Sequence, residues 1–422
     1  MATIAVGNPS YGTEPLHTRP MLALSTTMVA AMSSFYLLFS AEPVHAARLY
    51  GDFAAGLATG SLMATTIVGE LLAPRLIAHL GRRHALMVAL VILALPSLAA
   101  FSTSLGAVLL SCAARGFGLG VLLVATCGLA AALAPPARRA EALGIYGVAS
   151  AIPAIVCVPL GPWVLAKFGA SPIALTATFL GLLGLVGIAL LPASAGEGGA
   201  ADSEAHPHSM PALRTAAWPS VALGIGAIAT GLTITFVPLA HPEASSATIM
   251  LALLVQGLGS AVARWAVGRS IDRHGPNQAL AIGVVQIIAG LLCLALSGTI
   301  AVLAGMALCG IGFGILQSAS LAALLQRCNP AQMDGASALW NAAYDAGLGT
   351  GGLAFGMLVA TMSYPAAFIW AAFTLSLLAF AIPRQFRTPE AICWDAISCA
   401  PAPPHCWPQL FRPLRSLGRI GP

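Results

Sequence analysis

A chain of 422 residues in which 58% are hydrophobic and only 8% charged carries roughly a third of the charge usual in a soluble domain. No soluble fold of that length hides so much apolar surface, so the composition excludes a water-soluble globular enzyme and leaves lipid as the solvent for most of the chain. The formal net charge of +5 is spread over the ends of apolar runs with no separate basic cluster, which argues against nucleic-acid binding.

Met1 to Pro20 is a polar lead, expected as a cytoplasmic N-terminal segment (1–20); it is too long, and the run after it too extended, for a cleavable signal peptide. Apolar runs then recur near the ~20 residues that a helix needs to cross ~30 Å of hydrocarbon at ~1.5 Å per residue. Six are expected at 21–40, 54–76, 84–103, 105–133, 141–166 and 171–192, forming an N-terminal bundle over 21–192. The stretch 193–216, containing GEGGAADSEAHPHS, reads as a cytoplasmic linker. Six more are expected at 217–239, 246–268, 277–297, 299–325, 335–359 and 364–383, in a C-terminal bundle over 217–384. Residues 385–422, with PAPPHCWP, lack helical periodicity and read as a cytoplasmic tail. The fold class is therefore an all-α membrane protein of twelve transmembrane helices. Its abundant Gly and Ala let backbones approach closely.

Basic residues near span ends are retained on the cytoplasmic side. With both termini inside, Arg75, Arg82, Arg83, Arg138, Arg139, Arg214, Arg264, Arg269, Arg273 and Arg327 all fall at cytoplasmic ends or loops, and only Arg48 and Lys167 face outward. Cys112, Cys127, Cys157, Cys293 and Cys309 lie inside spans as small apolar fillers and make no disulfide framework. Cys393, Cys399, His405 and Cys406 match no common zinc spacing, so neither a metal nor a cofactor is expected.

The chain also repeats itself. Gly81 of LIAHLGRRHAL falls opposite Gly275 of SIDRHGPNQAL, an offset of 194; the same offset carries Gly116, Gly118 and Gly120 onto Gly310, Gly312 and Gly314, and Pro136 onto Pro330, without a gap. Two six-span halves joined in parallel imply a pseudo-two-fold molecule with its binding site between the halves near mid-membrane.

These residues resemble the major facilitator superfamily, in particular bacterial twelve-helix drug and sugar (arabinose-type) efflux permeases. The resemblance covers residues 21–384. Its loop motif G-x-L-x-D-R-x-G-R-R is kept best in the second copy, as Gly268, Asp272, Arg273 and Gly275 of GRSIDRHG. The first copy keeps Gly81, Arg82 and Arg83 but has Pro74, Ala78 and His79 where Gly, Asp and Arg are expected. Arg115 in AARGFGLG sits where the family's drug-proton antiporters carry an intramembrane arginine, PPARRAEALGIYG resembles the loop into the fifth span, and WNAAYDAGLGTGG resembles span eleven of the arabinose-type permeases. The antiporter glycine-proline run is only partial, as Gly147, Pro159, Gly161 and Pro162. The resemblance implies alternating access and a cytoplasmic loop gate. An aspartate in such a loop sits against the positive N-terminal end of a neighbouring helix, so Asp272 is expected to carry more of that latch than the half with Ala78.

Ionisable groups deep in hydrocarbon are functional candidates by default. Glu70, Arg115 and Asp345 each lie some ten or eleven residues from a span end, roughly 15 Å deep. Glu70 and Asp345 are expected as proton carriers, with Arg115 tuning one of them or binding an anionic group of the substrate; a purely structural role for each, bonded to backbone or hydroxyl groups, is the alternative. Tyr36, Gln256, Gln317, Trp340, Asn341 and Tyr344, with Phe35 and Phe39, are candidates for the cavity lining or for interfacial packing.

The expected function is secondary active transport of a small molecule, in the form of proton-coupled efflux (antiport) of a drug or sugar type. The site is expected in the cytoplasmic (inner) membrane, within one chain acting as a monomer, with protons as coupling ion. Proton-coupled uptake by a symporter is the alternative within the class, and a non-transporting receptor or scaffold the alternative outside it. An enzyme is not expected, since no nucleophile-base pair, metal cluster or phosphate loop occurs.

Overall fold

The computed structural model describes residues 18–135, 138–191, 210–328 and 333–381. Among these, thirteen α-helices and no strand are present: α1 (Arg19–Phe39), α2 (Ala41–Tyr50), α3 (Asp52–Leu80), α4 (Arg82–Ala94), α5 (Leu105–Leu133), α6 (Arg139–Phe168), α7 (Ala170–Ala189), α8 (Met210–Ala240), α9 (Ser246–His274), α10 (Pro276–Leu294), α11 (Thr299–Arg327), α12 (Met333–Val359) and α13 (Tyr364–Ala381). Ten helical runs are long and apolar enough to cross a membrane, with α1 and α2 counted as one run of 32 residues. The helices α12 and α13 complete a bundle of twelve.

The first span is longer than the sequence suggests. Pro43 and the charges around it read as an end near residue 40, yet the helix resumes as α2 and runs to Tyr50. Pro43 sits in the first turn of α2, where its missing N–H has no partner to lose. Ser40, between the two helices, keeps αR backbone angles and donates its hydroxyl to the Val158 carbonyl of α6 at 2.7 Å. At the other junction α8 starts at Met210, inside the expected linker; residues 1–17, 192–209 and 382–422, with Cys393, Cys399, His405 and Cys406, lie outside the described residues.

Lipid is legible in the packing. Large apolar side chains such as Leu71, Leu110, Trp265, Ile300 and Phe380 are exposed all round the bundle, a distribution that only a hydrocarbon solvent tolerates. Several hydroxyls inside the spans return to their own helix: Thr66, Thr126, Thr178 and Thr230 each donate to the carbonyl four residues back.

The internal repeat survives as packing. A Cβ on Gly116 would strike the carbonyl oxygen of Leu62, and one on Gly310 that of Gln256; Gly120 faces Thr66 and Gly314 faces Ser260 in the same way. A Cβ on Gly118 would lie 2.7 Å from the Ala89 oxygen and one on Gly312 2.7 Å from the Gly283 oxygen. Each of these three approaches maps onto its counterpart by the same offset of 194, and α5 packs on α3 and α4 as α11 packs on α9 and α10. The turns closing α3 and α9 are matched too, at Gly81 (φ 76) and Gly275 (φ 77), conformations that favour glycine.

The halves meet along α3 against α12 and α6 against α9. A Cβ on Gly56 would lie 2.7 Å from the Gly352 oxygen, and one on Gly349 2.8 Å from the Met63 Cβ. Thr59 and Thr235 share a hydroxyl hydrogen bond of 2.9 Å between α3 and α8. These approaches fall before Glu70 on α3 and after Asp345 on α12, so they pin the halves together at the end of the bundle marked by Gly51 and Val359.

Gly116→Leu should lower stability by about 3 kcal/mol through overpacking, read as thermal unfolding of the detergent-solubilised protein. Gly147→Ala, whose added Cβ meets nothing within 4 Å, should stay within about 1 kcal/mol of the parent.

Candidate functional site

Among the described residues, the carboxylates and guanidinia of Glu42, Glu70, Arg115, Arg264 and Asp345 fall into two groups inside the bundle. Glu70 lies on α3, eleven residues before Gly81, and Asp345 on α12. The two sit on opposite halves, on the pair of helices that face each other across the seam, and are electrostatic neighbours. Asp345 is buried and Glu70 half-buried. Neighbouring carboxyl groups can share a proton or hold a cation between them.

Arg264 is the member that orientation by basic residues misplaces. It is no end-of-span anchor: it lies eleven residues before Gly275, within α9, roughly 16 Å from the helix end. Its Nη1 donates to the Gln317 Oε1 of α11 at 3.0 Å. Tyr36 of α1 and Tyr344 of α12 are each within electrostatic reach of both Asp345 and Arg264. Tyr344 stacks on Phe313 with centroids 5.9 Å apart, and Phe313 stands one turn before Gln317 on α11.

The second group is closed on itself. Arg115 is fully buried and ion-paired through Nη1 to Glu42 of α2, while Nη2 donates to the Phe35 carbonyl at 3.2 Å. The structure thus gives Arg115 a partner in its own half, on the outer continuation of the first span, rather than Glu70 or Asp345. Phe35 and Phe39 are buried beside this pair, stacked at 5.4 Å.

The other expected lining residues divide. Tyr36, Gln317 and Tyr344 belong to the polar cluster. Gln256 is buried and donates to Thr233 Oγ1 at 2.7 Å, which commits it to the packing of α9 on α8. Trp340 donates its indole N–H to Ser320 Oγ at 3.0 Å, and Asn341 is exposed. Around the loops, Arg83 reaches the Ala189 carbonyl at the end of α7 at 3.5 Å, and Arg82 lies against Gly128 of α5. Gly268 has open space beside it, Arg273 is exposed, and the side chain of Asp272, in the last turn of α9, lies outside the described residues.

Two residues of this interior were missed in the sequence for different reasons. Glu42 was read as lying past the end of the first span; the demand of Arg115 for a counter-charge at its own depth was the available signal. Arg264 was counted with the end-of-span arginines, although the repeat offset of 194 carries Glu70 onto it directly.

The family model described as Major Facilitator Superfamily matches residues 23–243 and 220–392. Nothing among curated proteins matches the chain. Solved structures with a similar fold include the nucleoside transporter NupG (TM-score 0.68, 15% identity, 86% of this chain and 98% of that one). A POT family transporter in complex with a thioalcohol-conjugated peptide is similar at TM-score 0.70 and 12% identity, over 86% and 95%. The E. coli xylose transporter XylE, in a partially occluded inward-open conformation, is similar at TM-score 0.65 and 14% identity, over 86% and 97%.

Because each partner of the buried ion pair would leave the other uncompensated, Glu42→Gln and Arg115→Gln should each destabilise the protein by about 3–5 kcal/mol. The double substitution Glu42→Gln with Arg115→Gln should cost less than the sum of the two, as measured by a double-mutant cycle on thermal unfolding.

Proposed function

Starting from the fact that this chain belongs to the major facilitator superfamily, and so is a multi-pass membrane transporter rather than an enzyme, we propose that it moves a small organic solute by alternating access coupled to protons. The observation that carries the reading is the placement of Glu70 and Asp345 within α3 and α12, the helices that pack on each other across the two halves. A proton held between carboxyls on opposite halves ties protonation to the approach of the halves themselves, so rocking and proton release become one event.

Export is the form of transport we favour, on the resemblance of the loop into α6 and of Arg115 to the efflux permeases. The interrupted glycine-proline run of α6, helical through Pro153, Pro159 and Pro162, supports uptake as the second reading. The arginines at the starts of α4 and α6 and at the ends of α9 and α11 support a cytoplasmic face at that side, with both termini there and the cytoplasmic membrane as location. The halves are pinned at the opposite end, which supports an inward-facing state; the Gly81 and Gly275 loops, with Asp272, would close when the molecule turns outward. The internal repeat supplies both halves of the site from one sequence, which supports action as a monomer.

Glu70→Gln combined with Asp345→Asn should abolish the dependence of solute flux on an imposed pH gradient in vesicles. Undiminished coupling in the double variant would overturn the reading. Comparing right-side-out with inverted vesicles distinguishes export from uptake.

A further inference from the structure

Glu70 and Arg264 are of opposite sign and stand on opposite halves. Arg115 and Glu42 neutralise each other inside one half. Arg264 has no such partner: among the described residues its guanidinium takes part in no ion pair, and it meets only the neutral amide of Gln317. A guanidinium offers a planar fork of five donors suited to a carboxylate or phosphonate. Glu70 on the other half and Asp345 on its own half are acceptors suited to an ammonium. Positions 70 and 264 are equivalent under the internal repeat, so the scaffold places the acid and the base at equal depth on either side of the pseudo-two-fold axis.

Resting on the transport reading above, we infer that the solute is amphoteric: a small molecule whose ammonium meets the Glu70 and Asp345 carboxyls and whose carboxylate or phosphonate meets Arg264 and Gln317, with Tyr36 and Tyr344 along its middle. A neutral sugar would leave both poles desolvated without compensation. A simple cation would satisfy the acids while facing the like charge of Arg264, and a simple anion would do the reverse. Only a solute carrying both charges complements both ends. The stack of Tyr344 on Phe313 beside Gln317 favours an apolar or aromatic middle over a hydroxylated one. A dipole laid across the axis also bridges the halves, so its binding energy is available to draw them together.

The test uses the full chain in lipid nanodiscs, with binding read by calorimetry. The probes are ω-amino acids from glycine to 6-aminohexanoate, L-phenylalanine and glycyl-phenylalanine, each beside its N-acetyl derivative (anion only) and its amide (cation only), with arabinose and tetraphenylphosphonium as neutral and cationic controls. At least one amphoteric member should bind about tenfold or more tightly than both of its single-charge derivatives, the scale of one charge-assisted contact. Arg264→Gln should erase the preference over the amide and Arg264→Lys should keep part of it, while Asp345→Asn should erase the preference over the N-acetyl derivative. Binding of arabinose or tetraphenylphosphonium in place of every amphoteric probe, a preference that survives Arg264→Gln, or no amphoteric probe binding at all would overturn the inference. The two readings fail separately: proton-driven flux of a sugar or lipophilic cation leaves the transporter standing and removes the amphoteric solute, whereas amphoteric binding without any pH-driven flux does the opposite.

Discussion

Hydrocarbon offers no hydrogen bonds, and nearly every feature of this molecule answers to that. Backbone groups must be satisfied within each span, so the described chain is helical and many of its hydroxyls, such as those of Thr66 and Thr230, fold back on their own helices. Without a hydrophobic drive between helices, association depends on close contact, which is why glycine faces carbonyl oxygen at Gly116, Gly120, Gly310 and Gly314. The same solvent makes each interior charge expensive, so the few that persist are paired in place or face a cavity wet enough to use them.

The scaffold is symmetric and its charges are not. Contacts of α5 with α3 and α4 recur, residue for residue, in the contacts of α11 with α9 and α10. On that repeated frame the first half carries Glu70 where the second carries Arg264, and Arg115 where the second carries Cys309. Duplication supplies two equivalent walls and a seam that can rock; substitution at a handful of positions turns the space between them into a site with two distinct ends.

The interior charges also differ in what they hold. Glu42 with Arg115 ties the outer continuation of the first span to α5 inside a single half, a fixed element within a moving body. Glu70 with Asp345 lies between the two bodies, at the inner limit of the seam that begins at Gly56 and Gly356. An interaction placed there is made or broken when the halves rock, whereas the first travels with its half unchanged.

Much of this was legible in residue order alone. Apolar runs longer than a bilayer is thick, a register of 194 kept without a gap, and turn glycines at Gly81 and Gly275 are local or periodic signals, and each follows from the cost of exposing backbone to lipid. Glu70 and Asp345 stood out for the same reason. What residue order left open was partnership. Glu70 and Asp345 are 275 residues apart, and whether they meet depends on how α3 crosses α12. Arg115 looked like a companion for them until the helix continued through Ser40 and brought Glu42 to its side. Arg264 passed for an anchor at a span end until its depth in α9 set it beside Gln317, and Gln256 passed for cavity lining until Thr233 took its amide. Burial cost is a property of a residue and its neighbours in sequence, so the chain declares it; pairing is a property of two surfaces brought together, and only the packed bundle decides it.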